Sequence, residues 1–172
     1  MSRFNRLTKS VSTDLAELRR LLAQGSIQRA YRALLSYMTQ LRTHFMKNAA
    51  AGRVSELYQG ALDVSFFAVF PPSLARRRLK VVVLFNYKAF RFEAWLAGRN
   101  RQVQKQYWQL LKERDWPDYR LRTPAKGVDA ILECDLATDV DFDDPEALTA
   151  SIAAAVDGFV KDVERTLARR SR

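Results

Sequence analysis

The chain has 172 residues, a formal net charge of +10, 48% hydrophobic residues and 28% charged residues. This composition excludes a disordered chain and a disulfide-stapled scaffold. No apolar run approaches the roughly 18 residues of a membrane span, and residues 1–10 do not look like a secretory signal. The only cysteine, Cys134, fits a reducing compartment. We therefore expect a cytoplasmic protein that does not interact with membranes.

Positive charge is concentrated in the first two-thirds of the chain. Residues 1–53 hold ten Lys and Arg against two acids, whereas residues 128–172 hold five against eleven. A basic body with an acidic C-terminal part is typical of proteins that bind an anionic partner, or of chains that associate head to tail. Nucleic acid and a second copy of the chain are therefore both candidate partners.

Two helices are predicted first. Leucines at helical spacing predict a helix over 12–24, which Gly25 ends. An apolar stripe from Ile27 to Phe45 predicts a second helix over 26–48. Their short connection predicts an antiparallel helical hairpin.

The apolar period then changes to two, which is typical of strands. Strands are predicted over 58–70, 79–87, 90–97 and 128–136. A helix over 101–114 begins after Asn100, and a last helix begins at Asp144 with Pro145 in its first turn.

The resulting order, ααβββαβα, predicts an α+β fold. We expect a four-stranded, mostly antiparallel sheet with the helices packed on one face. The whole chain, 1–172, is predicted to be a single domain, with the N-terminal helical hairpin over 1–53 and the sheet unit over 54–172.

Several segments resemble a known family. The stretches RTHF (42–45), LYQGALDVSFFAVFP (57–71) and RFEAWLAGRNRQVQKQYW (91–108) are similar to those of short bacterial proteins known only as a domain of unknown function. The resemblance runs from about Gly25 to Val163. It implies an intact bacterial unit and brings no activity, cofactor or substrate.

Strand alternation also predicts a polar patch on the sheet face opposite the apolar residues. A polar face of the helix over 101–114 could lie over this patch. A flat tryptophan among charged groups suits a ring-bearing or anionic ligand. The same pattern is also typical of a solvated face with cross-strand ion pairs. We expect the ligand-binding residues to be Gln59, Asp63, Arg91, Glu93, Trp95, Asn100, Gln104, Trp108 and Glu133.

The favoured hypothesis is therefore a non-enzymatic domain that binds a small polar or anionic ligand, with no catalytic residue, no metal and no cofactor. The first alternative is sequence-independent nucleic-acid binding by the basic N-terminal two-thirds. The second is a divergent metal-dependent hydrolase that uses Asp63, Glu93 and Glu133. In that case Trp95 stands where nucleases of the restriction-enzyme type carry a catalytic lysine.

Overall fold

The computed structural model describes residues 4–137 and 140–168. The helices in these residues are α1 (Phe4–Ala23), α2 (Ser26–Lys47), α3 (Pro72–Ala75), α4 (Arg101–Leu111) and α5 (Pro145–Ala168), with one 3₁₀ turn at Ala49–Ala51. The strands are β1 (Arg53–Val54), β2 (Tyr58–Gln59), β3 (Val64–Phe70), β4 (Leu79–Asn86), β5 (Arg91–Gly98), β6 (Arg120–Leu121) and β7 (Ala130–Ala137). None of the described helices is long and apolar enough to cross a membrane.

The prediction of a four-stranded sheet in the order ααβββαβα is wrong, although the fold is α+β. The strand order is β1-β3-β4-β5-β7-β6, with β2 also paired to β3, and these pairs are antiparallel. The three strands that the sequence did not predict as separate, β1, β2 and β6, have two residues each. A strand of two residues is too short to show an alternating pattern of apolar and polar side chains. The sequence therefore gives no sign that it pairs with a longer strand.

The run over 58–70, predicted as one strand, is interrupted by a tight turn. The backbone N–H of Gly60 donates to the carbonyl of Val64 at 3.0 Å. Leu62 lies in the left-handed region at φ 63°. A Cβ on Gly60 would lie 2.2 Å from the Val64 oxygen, so only glycine fits this turn.

Helices α2 and α5 contribute to the core on one face of the sheet. Phe45 of α2 contacts Phe67 of β3, with ring centroids 5.7 Å apart. Val156 and Val160 of α5 approach the same region beside Val69. The buried residues of α5 repeat at helical spacing, as an amphipathic helix on a sheet requires: Leu148, Ile152, Val156, Phe159, Val163 and Leu167.

The chain divides into two compact units, one ending at Tyr37 and one beginning at Met38. In the first unit, α1 carries Val11, Leu15, Leu18 and Leu22, all of which are exposed. The predicted antiparallel hairpin of α1 and α2 therefore stays a prediction, and the exposure of this stripe does not decide it. Amphipathic spacing predicts that one apolar face of the helix packs against something, but it does not identify the surface that it packs against.

Candidate functional site

The other face of the sheet carries Glu93, Trp95 and Glu133 of the predicted polar patch, and we call it the open face. On β3 it carries Phe66 and Ala68 instead of the expected polar residues, and Ala68 belongs to a buried apolar cluster with Val82, Leu84 and Ala97. Strand register places the residues of the open face side by side across β3, β4, β5 and β7. One row is Ala68, Val82, Trp95 and Glu133, and the next is Phe66, Leu84, Glu93 and Asp135. Apart from Trp95 on β5, the aliphatic and aromatic residues of these rows lie on β3 and β4, and the acids lie on β5 and β7.

Glu93 is a buried carboxylate, 2% exposed, that accepts three hydrogen bonds. Arg91 Nε donates to Oε1 at 2.8 Å, and Asn86 Nδ2 donates to the same oxygen at 3.3 Å. Trp95 Nε1 donates to Oε2 at 3.0 Å. Both oxygens are thus engaged, as a buried charge requires.

Two further carboxylates on β7 are also held by arginines. Asp135 is bound by Arg91 at 3.1 Å and by Arg120 at 2.6 Å. Glu133 is bound by Arg120 and Arg122, each at 3.3 Å. The hydrogen bond from Arg120 holds the pKa of Asp135 below its ordinary value, against the opposing effect of burial.

We call these six residues the ionic cluster: Arg91, Glu93, Arg120, Arg122, Glu133 and Asp135. Within it each acid has at least one arginine partner. Among the described residues, no three His, Cys, Asp or Glu side chains are grouped so that they could hold a metal ion. The hydrolase hypothesis therefore lacks a three-ligand ion site in this part of the chain.

Beside the ionic cluster the open face forms a hollow of about 610 Å³, which we call the sheet hollow. Its floor is apolar: Val64, Phe66, Val82, Leu84, Trp95 and Ala97. Its rim is polar and includes the start of α4 and the chain near residue 127: Asp63, Lys80, Gly98, Arg99, Asn100, Arg101, Gln104, Gly127 and Asp129.

The start of α4 is fixed tightly against this rim. The side chain of Asn100 accepts a hydrogen bond from the backbone N–H of Val103 at 2.9 Å, which caps the helix. Gly98 allows the helix to approach, because a Cβ there would lie 2.7 Å from the backbone nitrogen of Gln104.

Gln104 is buried, 3% exposed, and its amide group is used within the protein. Its Nε2 donates to the carbonyls of Val128 at 2.7 Å and Ala130 at 3.3 Å. Its Oε1 accepts from Arg101 Nη1 at 3.2 Å, and the same guanidinium donates to the Ala125 carbonyl at 2.5 Å. Gln104 and Arg101 therefore hold residues 125–130 at the rim of the sheet hollow.

A second, smaller hollow of about 350 Å³ adjoins the strand ends, and Lys80 and Arg99 line both hollows. We call the five cations around the two hollows the basic edge: Arg53, Arg78, Lys80, Arg99 and Arg101. Among the described residues, none of the five forms an ion pair with a carboxylate. Their positive charge is therefore uncompensated by local ion pairs.

The nine residues predicted from sequence fall into three groups. Asp63, Trp95, Asn100 and Gln104 line the sheet hollow, whereas Arg91, Glu93 and Glu133 belong to the ionic cluster. Gln59 is exposed on the two-residue strand β2 and Trp108 lies on α4, both outside the lining of the hollow. The indole N–H of Trp108 has no hydrogen-bond partner among the described residues.

Sequence reasoning missed the basic edge. Strand alternation alone puts Lys80 on the same face of β4 as Val82 and Leu84. That Arg99 lies beside it depends on the pairing of β4 with β5, a register that the sequence alone does not give. Arg99 and Arg101 carried a usable signal, because they flank a helix cap directly after a strand that ends in glycine.

One protein family, described as a domain of unknown function (DUF7000), matches residues 11–167. The match confirms the resemblance to an uncharacterised family that the segments above indicated. No curated protein and no solved structure matches the chain.

Proposed function

The chain belongs to the DUF7000 family, a domain of unknown function, and we propose that its sheet hollow binds a small organic anion that carries a flat apolar group. The observation that supports this most is that an apolar floor containing Trp95 adjoins the unpaired cations of the basic edge. In this proposal the domain binds its ligand without transforming it, and no residue is catalytic.

The floor of the sheet hollow is suited to a ring. Leu84 is fully buried, while Phe66 and Trp95 remain partly exposed. The indole N–H of Trp95 is engaged by Glu93, so the surface that the ring offers to the hollow is apolar. Covering such a floor contributes about 25 cal/mol per Å² of apolar surface, and aromatic pairs add to this when their rings are offset.

The basic edge supplies the second half of the recognition. Lys80 and Arg99 line both hollows and have no carboxylate partner among the described residues. A carboxylate, sulfonate or phosphate group of a ligand would provide the missing countercharge through charge-assisted hydrogen bonds. Asp63 and Asp129 on the same rim lower the total positive charge, which favours a ligand with one or two negative charges.

The ionic cluster has a supporting role in this proposal. Glu93 and Arg91 hold the Trp95 ring at the boundary between the cluster and the floor. Because the polar groups of the cluster are bonded to one another, they would not compete for the ligand.

The proposal is tested with anilinonaphthalene sulfonate, a flat aromatic anion whose fluorescence rises in apolar surroundings. We expect saturable binding with one site per chain. Arg99→Gln and Lys80→Gln should each weaken binding by about tenfold, because a hydrogen bond to a charged group contributes about 1.5 kcal/mol or more. The matched control is Lys88→Gln, which removes an exposed cation in the turn between β4 and β5.

A second pair of variants tests the floor. Trp95→Phe should weaken binding of the probe, whereas Trp108→Phe should not, because Trp108 lies outside the hollow. Thermal unfolding of each variant shows whether the fold is retained. Equal affinities for Arg99→Gln, Lys80→Gln, Lys88→Gln and wild type would exclude the basic edge as the anion site.

Nucleic-acid binding is the second candidate, and a specific observation favours it. The basic edge continues into Arg76 and Arg77, which together with Arg78 line the surface beside α4. A single strand could place phosphates along these cations and a base on Trp95.

Salt dependence distinguishes the two candidates. For an oligothymidylate of about 12 nucleotides, three to five phosphate contacts give a slope of about −2 to −3.5 in log affinity against log salt. The double variant Arg76→Gln, Arg77→Gln should weaken oligonucleotide binding and leave the sulfonate probe unaffected. No oligonucleotide binding at low salt would remove this candidate.

A further inference from the structure

The helix α1 presents an apolar stripe that the described chain leaves uncovered. Val11, Leu15, Leu18 and Leu22 are 48%, 58%, 40% and 37% exposed. Their spacing of four, three and four residues is that of alternating d and a positions in a heptad. The helix has 20 residues, about three heptads.

The charges beside this stripe are complementary in the same register. Asp14 occupies a g position and Arg19 an e position, and neither forms an ion pair with another described residue. Glu17 and Arg20, which lie on the outer side at c and f, pair with each other within the helix at 2.7 Å. The charges that face outward are thus satisfied locally, while those beside the stripe are not.

A parallel pair of helices would satisfy the remaining charges. In such a pair, a g residue of one helix lies beside the e residue five positions later in the other. Asp14 of each copy would then meet Arg19 of the other, so the pair forms twice. An antiparallel pair brings g to g and e to e, and does not join Asp14 to Arg19.

We propose that α1 pairs with α1 of a second copy of this chain, as a parallel two-stranded coiled coil. The apolar stripe forms the seam, and the Asp14–Arg19 pairs set the orientation. This inference concerns α1 alone and is independent of the ligand proposed for the sheet hollow.

The first test is the mass of the full chain by sedimentation equilibrium between about 1 and about 100 μM. Wild type should be a dimer in the upper part of this range. The double variant Leu15→Glu, Leu18→Glu should be monomeric, with self-association weakened by more than about 100-fold, because it places charges in the seam. Both positions are exposed, so the thermal unfolding of the sheet should be unchanged.

The second test uses the charges. Arg19→Asp alone and Asp14→Arg alone should each associate about threefold to tenfold more weakly than wild type. An equimolar mixture of the two variants should associate as well as wild type, because every g–e contact is again of opposite charge. Arg20→Asp makes the same charge change one residue away on the outer side, and should leave the association unchanged.

Three results would overturn the proposal. A wild type that is monomeric throughout the range would refute pairing through α1. A mixture of Arg19→Asp and Asp14→Arg that associates no better than either variant would refute the parallel register. Finally, a monomeric protein that binds anionic lipid vesicles through Leu15 and Leu18 would assign the stripe to a membrane surface.

Discussion

Replacing Glu93 by Gln removes the buried charge that joins β5 to the ionic cluster while keeping the side-chain volume. Glutamine has one acceptor oxygen and one NH₂ group. Whichever oxygen position the NH₂ group takes, it faces a donor: Arg91 Nε at one oxygen, 2.8 Å away, or Trp95 Nε1 at the other, 3.0 Å away. At least one hydrogen bond is therefore lost and replaced by a contact between two donors.

The cost follows from these contacts. A lost hydrogen bond to a charged group costs about 1.5–3 kcal/mol, and a buried donor left without an acceptor adds to it. Arg91 keeps Asp135 as a partner, at 3.1 Å, which limits the loss. We therefore expect the free energy of unfolding to fall by about 3 kcal/mol, at the lower end of the range for breaking a buried ion pair.

The measurement is thermal unfolding near neutral pH. For a chain of this size, about 3 kcal/mol corresponds to a decrease in Tm of about 6–12 °C. The matched control is Glu113→Gln, an exposed glutamate whose partner Lys112 lies 3.7 Å away, and it should change stability by less than about 0.5 kcal/mol. If Glu93→Gln is as stable as this control, the carboxylate does not support the sheet as we describe.

Three further changes test the surroundings of the site. Asn100→Ala removes the cap of α4 and should cost about 1 kcal/mol in urea unfolding, whereas Asn100→Asp should cost little; equal stability of the two would refute the cap. Gly98→Ala should displace the first turn of α4 and lower Tm more than Gly158→Ala, where a Cβ meets nothing within 4 Å; equal losses would refute the close approach. Asp135 has a lowered pKa in the folded protein because of Arg120, so its contribution to stability is present above the unfolded pKa and is lost as pH falls through the folded value. Asp135→Asn should therefore flatten the loss of stability below about pH 4, and an unchanged acid limb would contradict this.

Residues on a single strand were the easiest to predict. Glu93 and Trp95 are two residues apart in β5, and strand alternation alone puts them on one face. The α4 cap at Asn100 followed from its position before an apolar helical stripe. Both predictions depend on local backbone geometry, which a few neighbouring residues in the sequence are enough to indicate.

Features that depend on register between strands could not be predicted. Arg120 reaches Glu133 and Asp135 because the two-residue strand β6 pairs with β7, and its sequence has no alternation. Lys80 and Arg99 line the same hollow only because β4 pairs with β5 in this register. The extra strands of the sheet escaped prediction for the same reason.

The central claim is that the sheet hollow takes a ring-bearing anion, and a crystal structure with anilinonaphthalene sulfonate tests it most directly. We predict that the ring system lies against Trp95 and that the sulfonate is within hydrogen-bond distance of Lys80 or Arg99. A probe found only at another surface, or a hollow that stays empty at saturating probe, would contradict the account.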